Sequence, residues 1–365
     1  MSDELYYLIA LTRAPGVGPT KARQLLKTCG SAEGIFKSKT RELLSIPDIG
    51  PATAKALRSI DRSKIEEIIQ FLEHKGVRTT SFMSDNYPER LKHCDDAPVL
   101  LYGLGNYHWN PKRAISIVGT RKATAYGKDF CQSLVQSLAR YEPTIISGLA
   151  YGIDACAHQS ALDAGLETIA CVAHGPERIY PETHRAMAGK MLSSGGIITE
   201  FPPFTPMAPE MFPMRNRLIA GLAECTIVIE TDLKGGSMIT AHIASSYGRE
   251  VYAVPGRVHD RNSRGCNSLI KRHLAAILTS PEDLIEYLNW DSPKEKSGTQ
   301  MQLFASLSAE QLQLVQLIQG LQKAAFDDLL TQTGLHWGEL NAMLTTLEFE
   351  GVIRSLPGKR FKLNG

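Results

Sequence analysis

Ala114-Ile115-Ser116-Ile117-Val118-Gly119-Thr120-Arg121 and, further along, Thr144-Ile145-Ile146-Ser147-Gly148-Leu149-Ala150-Tyr151-Gly152-Ile153-Asp154 decide the fold. Each is a short β-branched run that breaks into a glycine turn. A helical pattern follows each turn, the first from about Tyr126 to Arg140. A strand–turn–helix unit sets backbone amides at a helix start beside the carboxyl edge of a parallel sheet. Anions and nucleotides bind at that edge.

Working outward, further apolar runs fall near 168–173, 196–200, 225–230 and 250–254, with helical patterns near 152–164, 181–193, 214–223 and 237–248 between them. This alternation predicts a doubly wound α/β domain over 81–288, its parallel sheet covered on both faces. Ala97-Pro98-Val99-Leu100-Leu101-Tyr102-Gly103 reads as an edge strand, and Ser280-Pro281-Glu282-Asp283-Leu284 as a capped final helix.

The chemistry-bearing residues stand where strands end. Gly119 lets backbone approach closely, and Arg121 can grip a phosphate through two donors. Ser147 and Gly148 add a hydroxyl and amides, while Asp154 suits a cap or turn-holder better than a base. Phe212-Pro213-Met214-Arg215-Asn216-Arg217 puts two guanidiniums around an amide at the expected start of a helix. Two cations there oppose the helix dipole, which points to an anion partner; surface salt bridges are the plainer reading. Lys234-Gly235-Gly236-Ser237, with Thr240 one turn on, combines a point charge, permissive backbone and a hydroxyl at another helix start.

Other chemistries lack their residues. There is no Gly-x-x-x-x-Gly-Lys-Ser/Thr run and no Gly-x-Gly-x-x-Gly after the first strand, which disfavours a P-loop ATPase and ordinary dinucleotide binding. His158, His174, His184 and His242 lack paired carboxylate or thiolate spacing, so neither metal nor cofactor is expected. Net charge is only +2, so any polyanion site must be local. The seven cysteines form no metal spacing and suit buried thiols in a reducing compartment. No apolar run reaches membrane length and no leader pattern opens the chain, so a cytoplasmic location is expected.

Residues 1–80 carry an internal repeat. Ala14-Pro15-Gly16-Val17-Gly18-Pro19-Thr20-Lys21-Ala22 realigns with Ile46-Pro47-Asp48-Ile49-Gly50-Pro51-Ala52-Thr53-Ala54. This is the helix-hairpin-helix pattern, whose turn can offer amides to a DNA phosphate or simply pack within a bundle; a helix from Ser63 to Lys75 closes it. At the other end, polar residues 289–304 read as a linker, and 305–365 as a winged-helix plan. That plan has helices near 308–319, 324–332 and 336–350 and a hairpin around Leu356-Pro357-Gly358. Its wing residues Arg354, Lys359, Arg360 and Lys362 suit either phosphates or a protein surface.

The strings Ile117-Val118-Gly119-Thr120-Arg121, Ser147 to Asp154, Ile179-Tyr180-Pro181, Phe212 to Arg217 and Lys234-Gly235-Gly236-Ser237 with Thr240-Ala241 resemble the DNA-processing protein A (DprA/Smf) family, in order across the central domain. Departures are Gly175-Pro176-Glu177, where the family has glycine-leucine-aspartate, and Phe204, where a glycine is common. The resemblance implies an extended Rossmann domain between the two end modules. It implies a non-enzymatic recombination mediator of natural transformation that binds and protects single-stranded DNA, forms a homodimer, displaces single-strand-binding protein and loads the RecA recombinase. Its DNA pocket would hold Gly119, Arg121, Ser147, Gly148, Arg215, Asn216, Arg217, Lys234, Gly236, Ser237 and Thr240, with Met238, Tyr151 or Phe204 to stack on a base. The rival is a nucleotide-processing enzyme resembling phosphoribohydrolases; Thr240-Ala241-His242-Ile243 supplies no carboxylate where those enzymes carry a glutamate.

Overall fold

The computed structural model describes residues 3–290, 308–321, 324–349, 352–356 and 360–363. The chain forms two compact units, Met1–Trp290 and Asp291–Gly365.

The first unit is organised by one nine-stranded sheet: β1 (Arg78–Ser81), β2 (Leu100–Gly105), β3 (Ala114–Gly119), β4 (Thr144–Ser147), β5 (Thr168–Cys171), β6 (Gly195–Thr199), β7 (Cys225–Ile229), β8 (Glu250–Ala253) and β9 (Ala276–Ile277). The spatial order is β1-β2-β6-β5-β4-β3-β7-β8-β9. From β6 to β9 every pairing is parallel. Strand order reverses between β3 and β7, and a doubly wound sheet opens a crevice at such a reversal.

The central strands read as near-continuous apolar runs because both faces are covered. Ile115 and Ile117 of β3 and Ile227 of β7 pack with Leu134, Val135 and Ile153 of helices Ala125–Leu138 and Ile153–Asp163. Val118 and Val228 face the other way, against Leu218, Ile219 and Ala241 of helices Met211–Leu222 and Gly236–Ser246. Ser116 and Thr226, buried between β3 and β7, satisfy each other through hydroxyls 2.8 Å apart.

Three outcomes depart from the sequence reading. The strand expected at an edge, β2, is interior: it runs antiparallel to β6, and β1 covers its other side. The polar stretch Arg78-Thr79-Thr80-Ser81 is the true edge, as suits a strand with one side open to water. The eight-residue helix Arg264–Lys271, amphipathic but short, and the two-residue β9 were not read from the sequence. The final helix, Pro281–Tyr287, has the expected Ser280 cap, completed by Asp283 into a capping box.

The repeat folds as helices Asp3–Arg13, Pro19–Cys29, Pro51–Arg58 and Arg62–His74 with two short helices between. Leu25, Leu26, Ile65 and Ile68 share a core with Leu100 and Tyr102 of β2, so bundle and sheet form one unit. Arg23 of the first hairpin donates to the Cys94 carbonyl at 3.0 Å, and Arg58 of the second to the carbonyls of Phe36 and Ser38. Both guanidiniums are thus tied into the protein.

In the second unit, helices Ala309–Leu321, Phe326–Thr333 and Trp337–Phe349 surround a core of Leu314, Leu329, Leu340 and Leu344. A three-stranded sheet of β10 (Ala324–Ala325), β11 (Ile353–Leu356) and β12 (Arg360–Leu363) completes the winged helix. Trp290, inside the expected linker 289–304, is instead buried against Tyr141; residues 291–304 and Lys359 lie outside the described residues.

Candidate functional site

At the reversal between β3 and β7 lies a cleft of about 330 Å3, walled by the loops after both strands, the start of helix Ile153–Asp163 and helix Met211–Leu222. Gly119 holds its two central strands together. A Cβ there would sit 2.0 Å from the Ile229 carbonyl oxygen. Gly152, at φ +80, lets the β4 loop turn back against the Thr120 carbonyl, where a side chain would collide. Leu149 and Glu230, just beyond β4 and β7, also have left-handed backbone, at φ 63 and 53. For such residues that is strained, and strain gathers at binding sites. Glu230 is held by its neighbour across the edge: its carboxylate accepts from the Thr124 amide at 2.9 Å and from the Thr124 hydroxyl.

Arg121 stands at the cleft mouth, exposed, its guanidinium 6.0 Å from the centre of the Phe212 ring. It has no carboxylate partner among the described residues. Helix Gly236–Ser246 begins in the cleft wall, with Gly235, Gly236 and Ser237 lining it. The amides of a helix's first turn have no intrahelical acceptor and draw anions. Ser237's hydroxyl donates to Thr231 at 2.7 Å, so its amide is what it offers. Thr240 lies at the buried base of the same wall.

Arg215 is the floor. It is 6% exposed, and its guanidinium donates to the carbonyls of Gly148 and Cys171, clamping the ends of β4 and β5 to its helix. Burial lowers its pKa, opposed by the nearby Asp154 carboxylate. Asp154 is itself pushed up by burial and drawn back by Arg215, while accepting from the Ala150 amide at 3.3 Å. It is the turn-holder its position suggested. Asn216, beside Arg215, also lines the cleft and accepts from its Nε at 3.2 Å.

The structure therefore brings together Gly119, Arg121, Arg215, Asn216, Gly236, Ser237 and Thr240. Gly148 lines a small adjoining hollow that shares Arg121 and Arg215. Lys234 is exposed on the rim, between cleft residues Asp232 and Gly235. Two expected residues are elsewhere. Ser147 is fully buried and donates to the Ile117 carbonyl at 2.6 Å. Arg217 turns away: it grips Glu200 through two contacts of 2.7 Å and reaches Asp96 at 3.5 Å. Neither arginine sits at a helix start, because the helix begins at Met211, a turn earlier than its apolar pattern. Both are internal ties, so the dipole reading fails for both.

The stacking candidates also sort themselves. Met238 packs against the core, and Phe204 lies edge-on to Phe71 of the helical bundle, ring centres 5.2 Å apart. Tyr151 remains, lining the small hollow, and is joined by Tyr180 and Phe212, whose rings meet at 6.1 Å. Neither was among the aromatic candidates read from the sequence. Their signal was an aromatic residue directly before a proline, at Tyr180-Pro181 in a loop and Phe212-Pro213 in the first turn of a helix.

Residues 78–289, which hold every strand of the large sheet and the whole cleft, match the family described as DNA recombination-mediator protein A. The chain belongs to that family. Residues 300–359 match the DprA winged helix domain, and 8–60 and 40–71 match a SAM-like helix-hairpin-helix tandem. A putative DNA processing protein DprA of Mycobacterium tuberculosis is 32% identical over 323 residues, 83% of this chain and 81% of that one. Among solved structures, DNA processing protein A from Streptococcus pneumoniae superposes with a TM-score of 0.68 at 29% identity, covering 78% of this chain and 98% of that one. A Helicobacter pylori DNA processing protein A, solved for its single-stranded DNA binding mode, gives 0.53 at 28% identity over 60% of this chain and 99% of that one.

Proposed function

We propose that the cleft holds the backbone of single-stranded DNA, and that the chain uses this grip as a recombination mediator, protecting incoming strands and loading RecA onto them. One observation carries the reading: the Arg121 guanidinium, with no protein anion beside it among the described residues, faces a cleft into which first-turn helix amides open. Tyr151, Tyr180 and Phe212 beside it offer faces on which unpaired bases can stack, worth roughly 1–3 kcal/mol per base and tolerant of sequence. The H. pylori relative's single-strand binding mode supports the same ligand. Hand-over to RecA, displacement of single-strand-binding protein and homodimerisation extend the reading along the family resemblance.

Hydrolysis of nucleotides fits less well. Asp154 and Asp232, the cleft's carboxylates, are engaged with Arg215 and with Arg261 and Arg264, leaving no free base. Incubation with nucleoside monophosphates should release no base.

The deciding experiment is an anisotropy titration of labelled single- and double-stranded oligonucleotides with the full chain, repeated with RecA. Single strands should win, with a log–log salt slope near −0.7 per phosphate neutralised. Arg121→Ala and Lys234→Ala should each weaken binding about tenfold without lowering the melting temperature. Equal affinity for duplex, or unchanged affinity in both variants, would remove the cleft from the mechanism.

A further inference from the structure

The same sheet edge carries a second, larger hollow of about 1000 Å3 on the β8 side of the loop that follows β3. The start of helix Ala125–Leu138 forms one wall and the segment from Pro255 to Ser263 the other. Tyr126 is 51% exposed there, and its hydroxyl donates to the Pro255 carbonyl at 2.9 Å. The ring is thus fixed at one end with surface left open. Arg257 is exposed and has no acceptor among the described residues. Asp260 is the one exposed carboxylate of the lining, since Glu230 is buried and turned to Thr124.

Only a narrow strap divides this hollow from the cleft. Arg261, in the hollow's wall, pairs with the cleft residue Asp232 at 2.6 Å, and Asn262 donates to the Lys122 carbonyl at 3.1 Å. Arg121 and Lys122 are exposed on the strap, and Arg261 and Arg264 share the single Asp232 carboxylate, so the strap keeps a net positive surface.

We infer that a single strand crosses this strap and sets a further base against Tyr126, with its phosphate on Arg257. This rests on the single-strand reading of the cleft and extends it to a continuous two-hollow track. The chemistry matches: the volume is that of a small-molecule site, stacking on a tyrosine tolerates any base, and a guanidinium binds phosphate through paired donors. A strand leaving the cleft past Arg121 meets Lys122, unpaired among the described residues, on the way to the hollow.

The test uses the full chain and oligothymidylates of ~5 and ~20 nucleotides, one near the lower end of single-strand site sizes and one beyond the upper end. Tyr126→Ala and Arg257→Ala should each weaken the long strand about tenfold and leave the short one within about twofold. Arg257→Ala should also flatten the long strand's salt slope by about 0.7. Tyr126→Phe, which keeps the ring, should bind like wild type, separating stacking from any loosening of the loop. Equal losses on both lengths, or none on the long one, would overturn the track. So would binding of free thymidine monophosphate that needs Arg257 while long strands ignore it. Wild-type protein that binds neither length would instead retire the cleft reading, and the track with it.

Discussion

Arg121, Arg215 and Arg217 carry one functional group and differ in what answers it. Arg121 meets solvent and an aromatic face, Arg215 meets carbonyls, and Arg217 meets two carboxylates. Glu200, Arg217's main partner, is buried, and burial pushes its pKa up against the pull of that guanidinium. Arg217→Ala would strand that carboxylate, so chemical denaturation should show a loss of roughly 3–5 kcal/mol, the usual cost of breaking a buried pair. The Arg121→Ala melting curve should overlay wild type. His158 offers a second test. It is fully buried, its Nδ1 lies 2.7 Å from the Thr168 hydroxyl and its Nε2 is unpartnered. Burial, helped by Arg215 and His184, holds its pKa down to about 3. The unfolded chain takes this proton near pH 6.5, so between about 6.5 and 3 the unfolded state binds more protons and stability falls with pH. Urea midpoints for wild type should fall across that window, and His158→Gln should remove up to ~1.4 kcal/mol per pH unit of the slope. A variant with an unchanged slope would show that another group controls acid lability.

Among elements, the six central strands were legible and the margins were not. A strand buried on both faces is mostly apolar, so β3, β4, β5, β6, β7 and β8 stand out. β1 is polar because it is an edge, and β9 is two residues long. Which strand sits at an edge depends on pairing partners far away in the chain, and apolar content alone misassigned β2. The contact of β3 with β7 is the element on which the cleft depends. Gly119→Ala should force these strands apart against the Ile229 carbonyl, lowering the melting temperature by several degrees and weakening DNA binding together. Loss of binding with an unchanged melt would mean that the glycine serves the ligand and not the strands.

For the whole molecule, each unit has its own core, the second built on Leu314, Leu340 and Leu344. A chain ending at Trp290 should therefore fold cooperatively and keep most of its single-strand affinity. Circular dichroism and the same anisotropy titration would check both. A large loss of affinity would give the winged unit a direct share in the DNA. No helix among the described residues is long and apolar enough to cross a membrane.

Local pattern was enough to place the six central strands and their glycine turns, and to bring residue types suited to an anion to one sheet edge. Periodicity and turn chemistry are properties of neighbours in the chain. Tertiary structure alone decided which cations remain available. Arg217 was lost to Glu200 and Ser147 to Ile117, while Tyr180 and Phe212 were gained, each through a partner remote in sequence. A side chain's charge is written in its residue type, but whether that charge is already satisfied depends on what folding places beside it.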